Sequence, residues 1–142
     1  MNLNEIVKAA HDNAVKHGFW EPAPELGTSI ALIHSELSEA LEEARTGKPL
    51  LYFRCTLADD PGCERKCKFE PEDRKPDKCY CNKLRKILQK EYLKPEGVAS
   101  ELADAVIRIA DLCGHLGIDL EAAVKAKMAF NETREYKHGK KF

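Results

Sequence analysis

Four carboxylates at helical spacing stand out in this 142-residue chain: Glu36-x-x-Glu39 and Glu101-x-x-Asp104. Residues three apart share a helix face, about one turn along it. Each pair therefore sets two like charges side by side, flanked by apolar residues that would press the helix against a partner. Such a patch repels itself unless something positive sits there. Hard oxygen donors suit Mg²⁺ or Mn²⁺, and either ion can hold phosphate oxygens. These residues point to a divalent-metal site for phosphate chemistry.

Taken alone, an acidic pair at this spacing is more often a solvated helix face. Three features favour the metal. Both pairs border apolar stripes, which places them near a helix–helix seam. They lie on two long helices that could run antiparallel, with a cationic stripe on a third. The spacing also matches the way facing helices of a bundle build carboxylate sites. In the cationic stripe, Lys127, Asn131 and Arg134 occupy successive turns of one face. Lysine and arginine neutralise phosphate oxygens, and the asparagine amide donates or accepts a hydrogen bond. Opposite the acidic pairs, this stripe reads as a phosphate clamp.

Cysteines form the other constellation. Cys63-x-x-x-Cys67 and Cys79-x-Cys81 could supply four thiolates to one tetrahedral Zn²⁺, with Cys55 as a spare. Reduced thiols, or disulfides formed on oxidation, are the alternative. A structural zinc would explain how a segment with few apolar residues becomes ordered. Cys113 stands apart in a helical pattern and reads as a small core residue. Trp20 and Phe19 could stack on a nucleobase, although packing beneath their own loop is the commoner use of such residues. His34 reads as a boundary residue, and His138 as a phosphate candidate near the C-terminus.

Helices must position these groups. Apolar periodicity predicts a first helix over residues 4–17 ending at Gly18, with Ile6, Val7, Ala10 and Ala14 inside. A second runs over 26–45 and stops at Gly47, with Ile30, Ile33, Leu37, Leu41 and Ala44 as its core stripe. A third begins after Pro95-Glu96-Gly97 and ends at Gly117, turning Leu102, Val106, Ile109, Leu112 and Leu116 inward. Beside that stripe run Glu101, Asp104, Arg108, Asp111 and His115. Asp119 caps a fourth helix, whose core face is Leu120, Ala123, Val124 and Met128. Residues 48–93 form an insert rich in Pro, Cys, Asp and Lys, with a short helix expected over 82–92. The expected class is all-α: one four-helix domain over 1–142 with a cysteine-rich insert between helices two and three.

Composition narrows the partners. A formal net charge of −1 offers no broad attraction for a nucleic-acid polymer or a membrane surface. No apolar run approaches a membrane span, and Met1-Asn2-Leu3-Asn4-Glu5 lacks the layout of a signal peptide. The expected compartment is the cytoplasm, where clustered cysteines bind metal or stay reduced.

Ser35-Glu36-Leu37-Ser38-Glu39, Glu101-Leu102-Ala103-Asp104 and Lys127-x-x-x-Asn131-x-x-Arg134 together resemble the MazG-like all-α nucleoside triphosphate pyrophosphohydrolases. The likeness covers helices two to four and, more loosely, the first. It implies Mg²⁺-dependent hydrolysis of a nucleoside triphosphate to the monophosphate and pyrophosphate. By position, Glu36, Glu39, Glu101 and Asp104 would be the metal ligands and catalytic carboxylates. Lys127, Asn131 and Arg134 would contact the triphosphate. The resemblance also implies a homodimer or higher oligomer that completes the bundle. Ser35 stands where the family often opens its first motif with paired acids, and the insert is far longer than the usual connection. Either Glu39 or Glu43 is placed to take a proton from water. Two other readings stay open: a narrower dUTP, dCTP or phosphoribosyl-ATP pyrophosphohydrolase, and a zinc-stabilised helical binding module without catalysis.

Overall fold

The computed structural model describes residues 1–55 and 93–135, which form four α-helices and two short strands. In chain order these are α1 (Leu3–Lys16), α2 (Leu26–Arg45), β1 (Tyr52–Cys55), β2 (Leu93–Glu96), α3 (Val98–Leu116) and α4 (Leu120–Glu132). Helix dominates, as an all-α class requires, and the helix ends fall within a residue or two of the sequence signals. No helix among the described residues is long and apolar enough to cross a membrane. The expected helix over 82–92 lies outside the described residues.

Local chemistry explains these boundaries. Asn2 accepts from the Glu5 backbone N–H at 2.8 Å, and Glu5 accepts from the Asn2 N–H at 3.0 Å, a reciprocal cap at the start of α1. Its other end closes at Gly18, whose φ of 76° suits a residue without Cβ. There the Phe19 N–H reaches back to Ala14 O, and the Gly18 N–H to Val15 O. The same arrangement ends α3 at Gly117. Asp119 caps α4 through the Ala122 N–H at 2.9 Å, and Asn4 of α1 donates to that same carboxylate at 2.9 Å.

The chain divides into two compact units, Met1–His34 with Ala105–Phe142, and Ser35–Asp104. In the first, Val7 of α1 packs with Ala110 and Cys113 of α3, and Ile6, Ala10 and Leu120 close around them. Gly114 lets α1 approach: a Cβ there would stand 2.5 Å from that of His11. Cys113 is thus the core residue its position suggested, and burial pushes its thiol pKa up.

In the second unit, β1 and β2 pair antiparallel, Tyr52 opposite Glu96 and Cys55 opposite Leu93. This ladder closes the base of the insert and was not expected from the sequence. Beside it, Leu50 O accepts the Ala99 N–H at 2.8 Å, supplying a backbone cap to the start of α3. Gly97 permits that contact. Its φ is +98°, and a Cβ would meet Leu50 O at 2.8 Å and Pro49 O at 2.9 Å.

One expectation is overturned. Ile30, Leu37 and Leu41 of α2, and Leu102, Val106, Ile109 and Leu116 of α3, are exposed rather than core. The buried positions on these helices are Glu36 and Ala40, and Glu101, Ala105, Ala110 and Cys113. Met128 of α4 is likewise exposed, whereas the inner face expected for α1 is correct.

Candidate metal centre

Glu36 and Glu39 sit one turn apart near the middle of α2, and Glu101 sits in the first turn of α3. Carboxylate oxygens from all three lie within 4.8 Å of one another. Glu36 is 6 % exposed and Glu101 7 %, while Glu39 is open to solvent. The start of α3 is fixed by the Leu50 cap and by Ser100, whose hydroxyl donates to Pro95 O at 3.1 Å. The connection at the base of the insert therefore determines where Glu101 stands.

Burial pushes the Glu101 carboxyl above its ordinary range, and the charges of Glu39, Asp104 and Glu36 push it further; Lys94 opposes them. Its side chain forms no hydrogen bond or ion pair with any described residue, although a buried carboxylate normally has both. A small divalent ion would hold carboxylate oxygens at ~2.1 Å. Three oxygens within 4.8 Å of one another are close enough to share one such ion. The donors are all carboxylates, a set that fits Mg²⁺ or Mn²⁺.

Asp104 is exposed on α3 and acts electrostatically on Glu101, but it lies outside the close triple. Glu43, the other expected proton acceptor, is committed elsewhere. Lys48 Nζ donates to its Oε1 at 3.1 Å and Tyr52 Oη to its Oε2 at 3.0 Å. The Lys48 bond, reinforced by that from Tyr52, holds the Glu43 carboxyl below its usual range despite the opposing desolvation. That leaves Glu39 as the exposed carboxylate at the cluster.

Lys127 and Asn131 lie exposed on α4, in the other unit from the carboxylates. The helix ends at Glu132 with Thr133 as its C-cap, so Arg134 stands beyond the helical face once expected to carry it. Lys127 Nζ rests 5.4 Å from the centre of the Phe130 ring. Cys63, Cys67, Cys79 and Cys81, the expected zinc ligands, fall outside the described residues, as does His138. His34 is exposed on α2.

Sequence patterning missed one cluster, in the first unit. Asp111 Oδ1 accepts from Trp20 Nε1 at 2.9 Å and meets His11 Nδ1 at 2.8 Å. Trp20 stacks on His115, ring centres 3.9 Å apart and planes 9° from parallel. The indole is therefore packed against the protein, whereas Phe19 beside it is exposed. The spacing Asp111-x-x-x-His115 was visible in the sequence, but its partners come from α1 and the loop that follows.

The chain matches no family model, no curated protein and no solved structure.

Proposed function

We propose that this chain is a Mg²⁺-dependent nucleotide pyrophosphohydrolase of the MazG-like kind. The observation that carries the reading is the convergence of Glu36, Glu39 and Glu101, with Glu101 buried and lacking a hydrogen-bonding partner among the described residues. Repulsion within such a cluster is relieved by a divalent cation, and phosphate substrates bring the anionic oxygens that complete its coordination. Glu36, Glu39 and Glu101 would hold the ion, with Asp104 adding charge from the next turn of α3. Bound there, Mg²⁺ would neutralise the triphosphate and acidify water.

In the reaction, water adds to the α-phosphorus of a nucleoside triphosphate. The α–β anhydride bond breaks, pyrophosphate leaves, and the water proton passes to a carboxylate oxygen. Glu39 would take that proton on the carboxylate oxygen that does not hold the ion, because Glu43 is occupied by Lys48 and Tyr52. Lys127, Asn131 and Arg134 remain the proposed triphosphate contacts. The exposed leucines and isoleucines of α2 and α3 support a homo-oligomer in which a second copy covers them. A structural zinc on Cys63, Cys67, Cys79 and Cys81 is part of the same reading, and elemental analysis of reduced, folded protein tests it.

The deciding experiment is pyrophosphate release from a panel of ribo- and deoxynucleoside triphosphates with Mg²⁺, comparing the native chain with Glu36→Gln and Asp104→Asn. Metal-dependent release that both variants lose is the expected result. Release unaffected by either change would remove the carboxylates from the mechanism.

A further inference from the structure

Two lysines stand on the legs of the insert, Lys48 before β1 and Lys94 on β2. Their surroundings differ. Lys48 divides its bonds between Glu43 Oε1 and Tyr52 Oη, at 3.1 and 3.0 Å. Lys94 makes a single ion pair among the described residues, to Glu96 Oε1 at 3.2 Å, and its side chain is 57 % exposed. An ammonium has three donors, so at least two at Lys94 are unused by the described residues. Residues two apart on a strand share a face, which is how Glu96 meets Lys94.

The connection from β2 into α3 is short and fixed. Gly97 adopts its positive φ, Leu50 O caps the helix, and Ser100 binds Pro95 O, so Lys94 is tied to the turn that carries Glu101. Lys94 is also the cation whose charge reaches the Glu101 carboxylate. A carboxylate cluster that would hold a metal, joined by a fixed turn to an exposed ammonium, suits a polyphosphate: the metal would take some oxygens and the ammonium another.

Resting on the carboxylate reading above, we propose that Lys94 is a substrate-binding residue that donates to a phosphate oxygen of the metal-bound polyphosphate. The base of the insert thereby contributes directly to binding, in addition to holding α3.

Binding tests separate this role from a purely structural one. Mn²⁺ affinity is measured by calorimetry for the native chain, Glu101→Gln, Lys94→Gln and Lys94→Arg. Inorganic tripolyphosphate is then titrated into each Mn²⁺-loaded protein. Lys94→Gln should keep or tighten Mn²⁺ binding, since a positive charge near the ion is removed, while tripolyphosphate affinity falls about 10-fold or more, the usual effect of losing a charged hydrogen bond. Lys94→Arg should recover part of that loss. Unchanged tripolyphosphate affinity in Lys94→Gln overturns the proposal. So does a parallel loss of Mn²⁺ binding in both lysine variants, which would make Lys94 a positioning residue for the carboxylates. A native chain that binds no Mn²⁺, or binds it equally well as Glu101→Gln, refutes the carboxylate reading itself.

Discussion

Replacing Glu101 with glutamine should make the metal-free protein more stable at neutral pH, the reverse of what most buried substitutions do. Oxygens of Glu36, Glu39 and Glu101 lie within 4.8 Å. Two unit charges at that distance repel by about 3.5 kcal/mol at an effective dielectric of ~20, and by about 0.9 kcal/mol in water. Glu39 acts on Glu101 more strongly than Glu36 does, and its exposure keeps that pair between the two figures. Against this stand the loss of an acid from the first turn of α3, worth ~0.3–1 kcal/mol, and relaxation of the side chains. A net gain of ~1–3 kcal/mol remains. The pH dependence has a definite sign. Because the folded protein raises the Glu101 pKa above its reference value of 4.5, the native state holds that proton more tightly than the unfolded chain. The native protein therefore loses stability as pH rises through the Glu101 titration, and regains it on acidification. The advantage of the variant should be largest near neutrality and vanish once glutamates are protonated. Mn²⁺ should reverse the order, since an ion at 100 times its dissociation constant stabilises the protein that binds it by about 2.7 kcal/mol. Urea denaturation at several pH values, with chelator and with Mn²⁺, measures all three effects. A variant less stable than native protein in chelator at neutral pH, or one that gains equally from Mn²⁺, would refute the reasoning.

Other consequences can be checked separately. Gly97→Ala places a Cβ against two carbonyl oxygens at a positive φ, and should destabilise by ~2–4 kcal/mol while weakening Mn²⁺ binding; intact metal affinity would show that the base of the insert does not set Glu101. Trp20→Phe removes the indole donor from Asp111 and should cost ~1–2 kcal/mol in denaturation experiments, whereas a change under a few tenths would show that the bond contributes nothing. Cys113, buried with its thiol pKa raised, should be alkylated by iodoacetamide at neutral pH only after unfolding, as read by peptide mapping. Labelling of folded protein at the rate of an open thiol would contradict its burial.

The helix ends were legible because their signals are local. Gly18 and Gly117 are needed for a positive φ, and Asp119 for a cap, whatever surrounds them. The carboxylate pairs were legible for the same reason, since helical spacing puts Glu36 beside Glu39 before any tertiary contact forms. The buried faces were not. Apolar patterning selected Leu37, Leu41, Leu102 and Val106, and the chain instead buries Ala40, Ala105 and Ala110 beside two glutamates. Hydrophobicity records what a side chain would gain from burial, not which face the fold covers. The β1–β2 ladder was hidden because its strands are four residues each and nearly forty apart in sequence, with Pro95 inside one of them. Glu43 could not be distinguished from Glu39 until Tyr52 was seen to return against it.

The ladder also separates the spacing of the carboxylates from the length of the chain between them. Cys55 and Leu93 are paired, so the two described ends of the insert stand opposite each other, about 5 Å apart. Doubling the length of a flexible chain between two ends so held adds only ~0.6 kcal/mol of closure entropy. Sequence should therefore be open to lengthening, shortening or exchange between those ends while Glu101 keeps its place relative to Glu36. The base of the insert is thus a port for variation: a lineage could change what it carries, and an engineer could graft a reporter there, while the acidic cluster keeps its geometry.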